Sequence, residues 1–287
     1  MKKKYKLIKS KLITECGKPL FQIKALRAFG VVKKRDLGGF IESEGNLSHD
    51  GNCWVSENGW ICGNARVVGN GQVVGNGMVC GNGMVGGNGQ VSGEGQVFEN
   101  GIVAENGKVL GNGMVCGNGK VFGRGVVFEN GHLYGDGQVF GNGQVSGEGR
   151  VCGNGKVFED GQVYGKGQVL GNGQVSGMGY VFGNGQVFGD GQVSGEGQVS
   201  GSGQVIDNDW VTNTFYVTGS KHAVCLSSYT TLTIGGITRT FKEWTKTFKT
   251  WGKENGYSSE QIKEYGASIK FVISQAPSVI KRNKTKV

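Results

Sequence analysis

The chain has 287 residues, with 57 Gly against only 2 Pro, 7 Cys and a formal net charge of +9. Glycine at that level without a three-residue period or prolines excludes collagen and polyproline designs. No apolar run approaches the roughly 18 residues of a membrane-spanning helix, and the charge is uneven: residues 1–48 and 221–287 each carry 12 Lys/Arg against 4 Asp/Glu, while the stretch between them is acidic.

Taken in order, the Lys-rich start (Lys2, Lys3, Lys4) is not followed by an apolar run and so does not read as a secretory signal. Lys4 to Thr14 and Leu20 to Val32 read as strands around a Gly17-Lys18-Pro19 turn. Residues 1–54 are expected to form a β capping segment over the first coil, whose edge would otherwise be open to other strands. The phrases Asp36-Leu37-Gly38-Gly39-Phe40-Ile41-Glu42-Ser43-Glu44 and Asn46-Leu47-Ser48-His49-Asp50-Gly51-Asn52-Cys53-Trp54-Val55 then lead into a repeat.

Residues 55–217 repeat the hexad Val-x-Gly-Asn-Gly-Gln. The anchor slots from Val67 to Val217 hold Val except at Leu133. Four residues past the anchor stands Ala65 and then Gly from Gly71 to Gly203. Two past it, the slots from 63 to 201 hold Gly except at Glu99, Glu105, Glu129 and Glu159. A fixed short period means a solenoid, each repeat burying its apolar residue by stacking on its neighbours. Period six suits short β-branched strands joined by Gly/Asn corners, where positive φ is cheap. Cys62, Cys80, Cys116 and Cys152 are separated by multiples of 18, and Phe122, Phe140 and Phe158 are 18 apart, so three hexads make a turn. The competing reading, Asn-Gly hairpins in a meander, needs alternating apolar and polar arms that glycine cannot supply. About nine turns follow, with strands stacked about 4.8 Å apart. The core is thin, Val and Gly only, and leans on the backbone ladder, the caps and self-association.

The lead-in phrases running into hexads resemble the hexapeptide-repeat proteins of phages and prophages, the YdcK-like group of the trimeric LpxA-like superfamily. The resemblance implies an all-β, single-stranded left-handed parallel β-helix, a hexapeptide solenoid with an N-terminal β cap and a C-terminal helical cap. That group usually has Ala where this chain has Gly. Its closing phrase, similar to Ile234-Gly235-Gly236-Ile237-Thr238-Arg239-Thr240, often carries Cys and His where this chain has Gly236 and Arg239, so no thiol or metal role carries over.

The slot after each anchor should face outward. It is aromatic at Phe98, Phe122, Phe128, Tyr134, Phe140, Phe158, Tyr164, Phe182 and Phe188, more exposed rings than a monomer normally shows. Phe122, Phe140 and Phe158 form one file, and Phe128, Tyr164 and Phe182 lie on another. These six are the candidate interaction face; stiffening of the coil by cross-strand stacking is the alternative. Gln72, Gln90, Gln96, Gln138, Gln144, Gln162, Gln168 and Gln174 should flank them, offering hydrogen bonds but no chemistry.

Residues 218–287 are expected to hold a last irregular coil and a helical cap. From Ile206 the pattern loosens through Asp207-Asn208-Asp209-Trp210 and Thr212-Asn213-Thr214-Phe215-Tyr216, with Leu232-Thr233-Ile234-Gly235-Gly236 closing the coil. Phe241, Trp244, Phe248 and Trp251 mark one helix, ended by Gly252 or Gly256. Ser258 with Gln261 is a capping-box spacing before a second, whose stripe is Ile262, Tyr265, Ile269 and Ile273.

Acyltransferases of the left-handed coil class use a histidine between subunits as general base. Only His132 lies in the repeats, near Glu129 and Asp136, and it is the one catalytic candidate; an acyltransferase-like enzyme is the alternative it supports. Straight files of thiols lack the tetrahedral convergence a soft metal needs, so no metal and no cofactor is expected. The odd cysteine count and the single-file thiols point to a reduced protein in the cytoplasm of a bacterial host. The reading is a non-catalytic, rod-like interaction or scaffold protein of phage or prophage type, with a protein partner or its own copies (a trimer being one form). Antagonism of a host defence system is the specific form that the phage resemblance suggests. Phosphate or nucleic-acid contact through the basic ends is a further alternative.

Overall fold

The computed structural model describes residues 2–14, 16–199, 204–206, 209–213, 216–227 and 230–282. The Gly201 and Gly203 slots, Asp207, Asn208, Thr214 and Phe215 lie outside these residues. The chain divides into two compact units, Met1–Gly153 and Asn154–Val287.

In the first unit, β1 (Tyr5–Ile13) and β2 (Pro19–Ala25) form an antiparallel hairpin, and β3 (Leu37–Ile41) lies antiparallel to β2. β3 also pairs in parallel with Trp60–Ile61, through Phe40↔Trp60 and Ile41↔Ile61, so the capping hairpin feeds its sheet directly into the coil. From Trp54 onward the strands are two residues long, and each pairs in parallel with the strand 18 residues ahead, as in Trp54↔Gln72 and Val91↔Val109. One lap therefore consumes three hexads, and the architecture is the parallel β-helix that the thiol spacing predicts.

The hexad's chemistry explains the lap. Anchors from Val67 to Val151, Leu133 included, are fully buried. The residue before each points outward, because successive side chains of a strand face opposite ways. Backbone groups close the ladder onto the next lap, as in Gln72 N–H to Gly89 O at 2.9 Å, Val74 N–H to Val91 O at 2.9 Å and Asn76 N–H to Gly93 O at 2.7 Å. At the corners the backbone enters the left-handed region, which glycine takes freely. Glu99, Glu105 and Glu129 take it too, at φ of 52°, 55° and 54°. Each repays the strain locally: its Oε2 accepts from Gly117, Gly123 or Gly147 N–H, one lap on, at 2.8 Å. At the inward corner glycine serves a different need. A Cβ on Gly107 would lie 2.5 Å from Val121 O, so an alanine there would have to push two laps apart.

The first lap is sealed by buried polar groups. Lys4 is fully buried, with Nζ donating to Cys53 O at 2.9 Å and to Asp50 O and Gly51 O at 3.4 Å. Burial holds its ammonium below the ordinary lysine range. The Tyr5 hydroxyl donates to Leu47 O at 2.7 Å, and Asn46 Nδ2 donates to Gly63 O and Ala65 O, both at 2.9 Å. Carbonyls that have no preceding strand to pair with thus find side-chain donors.

The second unit uses the same lap, as in Lys156↔Gln174 and Val175↔Val193, and Glu159 repeats the corner device with φ 54° and a 2.6 Å bond from Gly177 N–H. Gln192–Glu196 pairs in parallel with Asp209–Asn213. The structure then departs from the expected irregular coil. Tyr216–Thr218, Ala223–Leu226, Thr231–Ile234 and Ile237–Thr240 form a four-stranded antiparallel meander, so Leu232 to Gly236 makes a hairpin rather than closing a lap. The reason is local: Leu232 and Ile234 are buried two apart, and Gly235 and Gly236, at φ of 57° and 81°, supply a tight two-residue turn.

Two helices complete this unit, α1 (Phe241–Glu254) and α2 (Ser259–Val279). A Thr240/Glu243 capping box, unread in the sequence, starts α1, and Gly256 at φ 69° follows its Asn255 cap. Ser258 and Gln261 make their expected reciprocal bonds ahead of α2. Trp244 and Trp251 are buried edge to face, with centroids 5.1 Å apart, and Trp244 Nε1 donates to Leu232 O at 2.8 Å. The buried stripe of α2 is Tyr265, Ile269, Val272 and Ala276; Ile262 and Ile273 are only half-buried. Ile280–Arg282 returns antiparallel to Asp209–Asn213.

Candidate functional site

The outward slots are where this fold offers surface, and the 18-residue lap decides which of them meet. Phe122 and Phe140 stack with centroids 4.9 Å apart and planes within 3°. In the second unit Tyr164 and Phe182 stack at 5.0 Å and 2°, with Tyr180 edge-on to Tyr164 at 6.4 Å. Identical backbone conformations one lap apart force the rings parallel at the strand spacing. Phe128 has Ser146 as its neighbour one lap on, and Phe158, in the second unit, has Ser176. Exposure is also lower than expected: stacking leaves most of the nine outward rings half-buried, and only Tyr134 and Tyr164 are exposed, at 37% and 36%. The flanking glutamines are half-buried too. Amide ladders run along the corners, as in Asn64 to Asn82, Asn82 to Asn100 and Asn100 to Asn118, each Nδ2 donating to the next Oδ1 at 2.9–3.2 Å.

His132 lies half-buried on its strand, between Met114 and Arg150 in register. Burial and the Arg150 charge push its pKa down, so the ring is neutral near pH 7. Its expected carboxylates are engaged elsewhere: Glu129 accepts from Gly147 N–H and Asp136 from Asn118 Nδ2 at 2.9 Å. A general base needs an orienting partner, and these two do not supply one.

The thiols do fall in one file, Cys62, Cys80, Cys116 and Cys152, with Phe98 and Tyr134 interleaved. They are not all reduced, as the sequence led one to expect. Cys62 and Cys80 are joined as a disulfide across one lap, their Cα atoms 4.8 Å apart, which is within the span such a bond bridges. Hydrogen bonding to Cys152 and burial raise the Tyr134 phenol's pKa, and burial with the Glu99 charge raises that of Cys116.

Beside that disulfide lies a cavity of about 370 Å³ that sequence reasoning missed. The β1–β2 turn forms one wall with Thr14, Cys16 and Lys18; the coil face forms the other with Trp60, Cys62, Met78, Cys80 and Phe98. The turn is fixed by Thr14 N–H to Lys18 O at 2.8 Å and by Gly17 N–H to Thr14 O at 2.9 Å. Lys18 Nζ donates to Glu42 Oε1 at 2.9 Å, and Glu42 Oε2 accepts from Gly63 N–H at 2.8 Å. Burial works against ionisation of Glu42, but the Gly63 and Lys18 hydrogen bonds outweigh it and hold its carboxyl below the ordinary range. The legible signal was Cys16 itself, a cysteine outside the hexad register beside a predicted turn.

At the basic ends, Lys3 pairs with Glu44 at 2.7 Å, while Lys221 donates to Asn255 O at 2.8 Å. Among the described residues no group of three or more His, Cys, Asp or Glu could hold a metal ion, and no helix is long and apolar enough to cross a membrane. No family model matches this sequence, and no curated protein matches it either.

Proposed function

We propose that the protein is a non-catalytic interaction scaffold whose flat, repeating strand faces bind a protein partner or further copies of the chain. The observation that carries this reading is the pair of coplanar ring stacks, Phe122 on Phe140 and Tyr164 on Phe182, each ring set outward one residue past a two-residue strand. Side-by-side rings held rigid by a backbone ladder lose little entropy on contact, which is what an interface anchor requires. The likeness of the lead-in phrase to phage hexapeptide-repeat proteins supports a scaffold acting in the cytoplasm of a bacterial host. His132, with its two nearby carboxylates bonded elsewhere, gives the acyltransferase reading no specific support.

The test replaces Phe122 and Phe140, and separately Tyr164 and Phe182, by Ser. Sedimentation should report a lower particle mass, or a partner captured by the parent chain should be lost. An unchanged mass together with unchanged capture, in variants whose circular dichroism is intact, removes the proposal.

A further inference from the structure

Three of the seven cysteines line one cavity, and the Cys62–Cys80 disulfide uses only two of them. Cys16 is free and exposed on the β1–β2 turn; Cys62 and Cys80 are half-buried on the facing strands. The turn's position along the file sets which sulfur it meets. Glu42 is the lap neighbour of Cys62, following the Ile41↔Ile61 pairing, and Lys18, two residues from Cys16, is anchored to Glu42. The turn is therefore held over the Cys62 end of the disulfide. We propose that this cavity is an intramolecular thiol–disulfide exchange site, in which Cys16 displaces Cys80 from Cys62 and ties the capping hairpin covalently to the coil.

The chemistry needs no external oxidant. The Cys16 thiol gives its proton to solvent, and its thiolate attacks Cys62 Sγ. The Cys62–Cys80 bond breaks as the Cys16–Cys62 bond forms, and Cys80 leaves as a thiolate that takes up a proton. One disulfide and one thiol are present before and after. The walls of Trp60, Met78 and Phe98 leave the cavity open to a small sulfur movement. To form the bond the turn must bring Cys16 to the roughly 5.5 Å Cα spacing of a disulfide. The hairpin has a place to bend: its register slips between Lys9 and Ile13, and Ile13 is 67% exposed. The exchange replaces a staple within the coil by one between cap and coil, and moves the free thiol to Cys80.

The experiment uses the full chain. Cys80→Ser and Cys80→Ala are each treated with oxidised glutathione, quenched in acid with a maleimide, digested without reduction and mapped by mass spectrometry. Cys116 and Cys152, free thiols of the same file, are internal controls. The expected result is a Cys16–Cys62 linked peptide, on the order of tenfold or more above any Cys16–Cys116 or Cys16–Cys152 peptide, because the cavity sets a high effective concentration for one pair only. In the parent chain, incubation at pH 9, where enough thiolate forms for exchange to equilibrate, should divide maleimide labelling between Cys16 and Cys80, and Cys16→Ser should remove the exchange-dependent Cys80 share. Glutathione caps on both Cys16 and Cys62 with no peptide linking them, in variants with parental circular dichroism, would overturn the proposal. So would labelling that stays on Cys16 at every pH.

Discussion

The coil and the caps of this molecule are stable by different means. In the coil the buried side chains are one valine per hexad, with glycine opposite, and the backbone ladder does the rest. The C-terminal cap buries Trp244, Trp251, Tyr257 and Tyr265 around one another, and the N-terminal cap buries Lys4, Tyr5, Asn46 and the contact face of His49. A coil can repeat because the side chains it buries between laps are small. A cap cannot repeat, and so uses large or polar groups to satisfy the ends that the repeat leaves open. The coil should thus be sensitive to charge and to backbone crowding, whereas the caps should be sensitive to truncation and to pH.

The largest expected effect breaks the coil. Val145 is fully buried between laps, and Val145→Asp places a carboxylate where no donor is available, costing several kcal/mol. Thermal melting followed by circular dichroism should show loss of the cooperative β transition, and a parental melting curve would contradict the inward assignment of the anchors. Next comes the helical cap: Trp244→Ala should cost about 3–5 kcal/mol from the lost ring alone. The indole's hydrogen bond to the Leu232 carbonyl would be lost as well. Urea titration monitored by tryptophan fluorescence reads this, and a loss under about 1 kcal/mol would place the cap's stability elsewhere.

The smallest effect concerns pH and belongs to the N-terminal cap. Lys4 N–H donates to His49 Nδ1 at 3.2 Å, while His49 Nε2 is buried with no partner among the described residues. Burial is the chief cause holding the His49 pKa below the ordinary histidine value. The folded state therefore binds a proton less readily than the unfolded one, so stability is present above the unfolded pKa and declines as pH falls below about 6.5. Melting at pH 7 and pH 5 should show the decline, and His49→Gln should shrink it. An identical pH difference in that variant would assign the effect to another group.

Much of this was legible because a strict period leaves little freedom. The valines at six-residue spacing and the thiols at multiples of 18 determine the lap, the buried anchors and the files of outward side chains, since every lap repeats one backbone conformation. The Ser258/Gln261 box and the Trp244 and Trp251 spacing were likewise readable, being interactions within a few residues of each other. Where periodicity ended, local pattern misled: Leu232 to Gly236 looked like a closing lap, and the antiparallel alternative won because the flanking strands Ala223–Leu226 and Ile237–Thr240 lie only a few residues away and pair with it through short turns. The ring files themselves follow the period, with Ser146 one lap after Phe128 and Ser176 one lap after Phe158. What only the tertiary structure decided is the company Cys16 keeps. Nothing periodic links a turn residue to Cys62 and Cys80; the return of the hairpin through β3 into the coil sheet brings them to one cavity, and such a long-range closure is set by packing and not by any short-range signal.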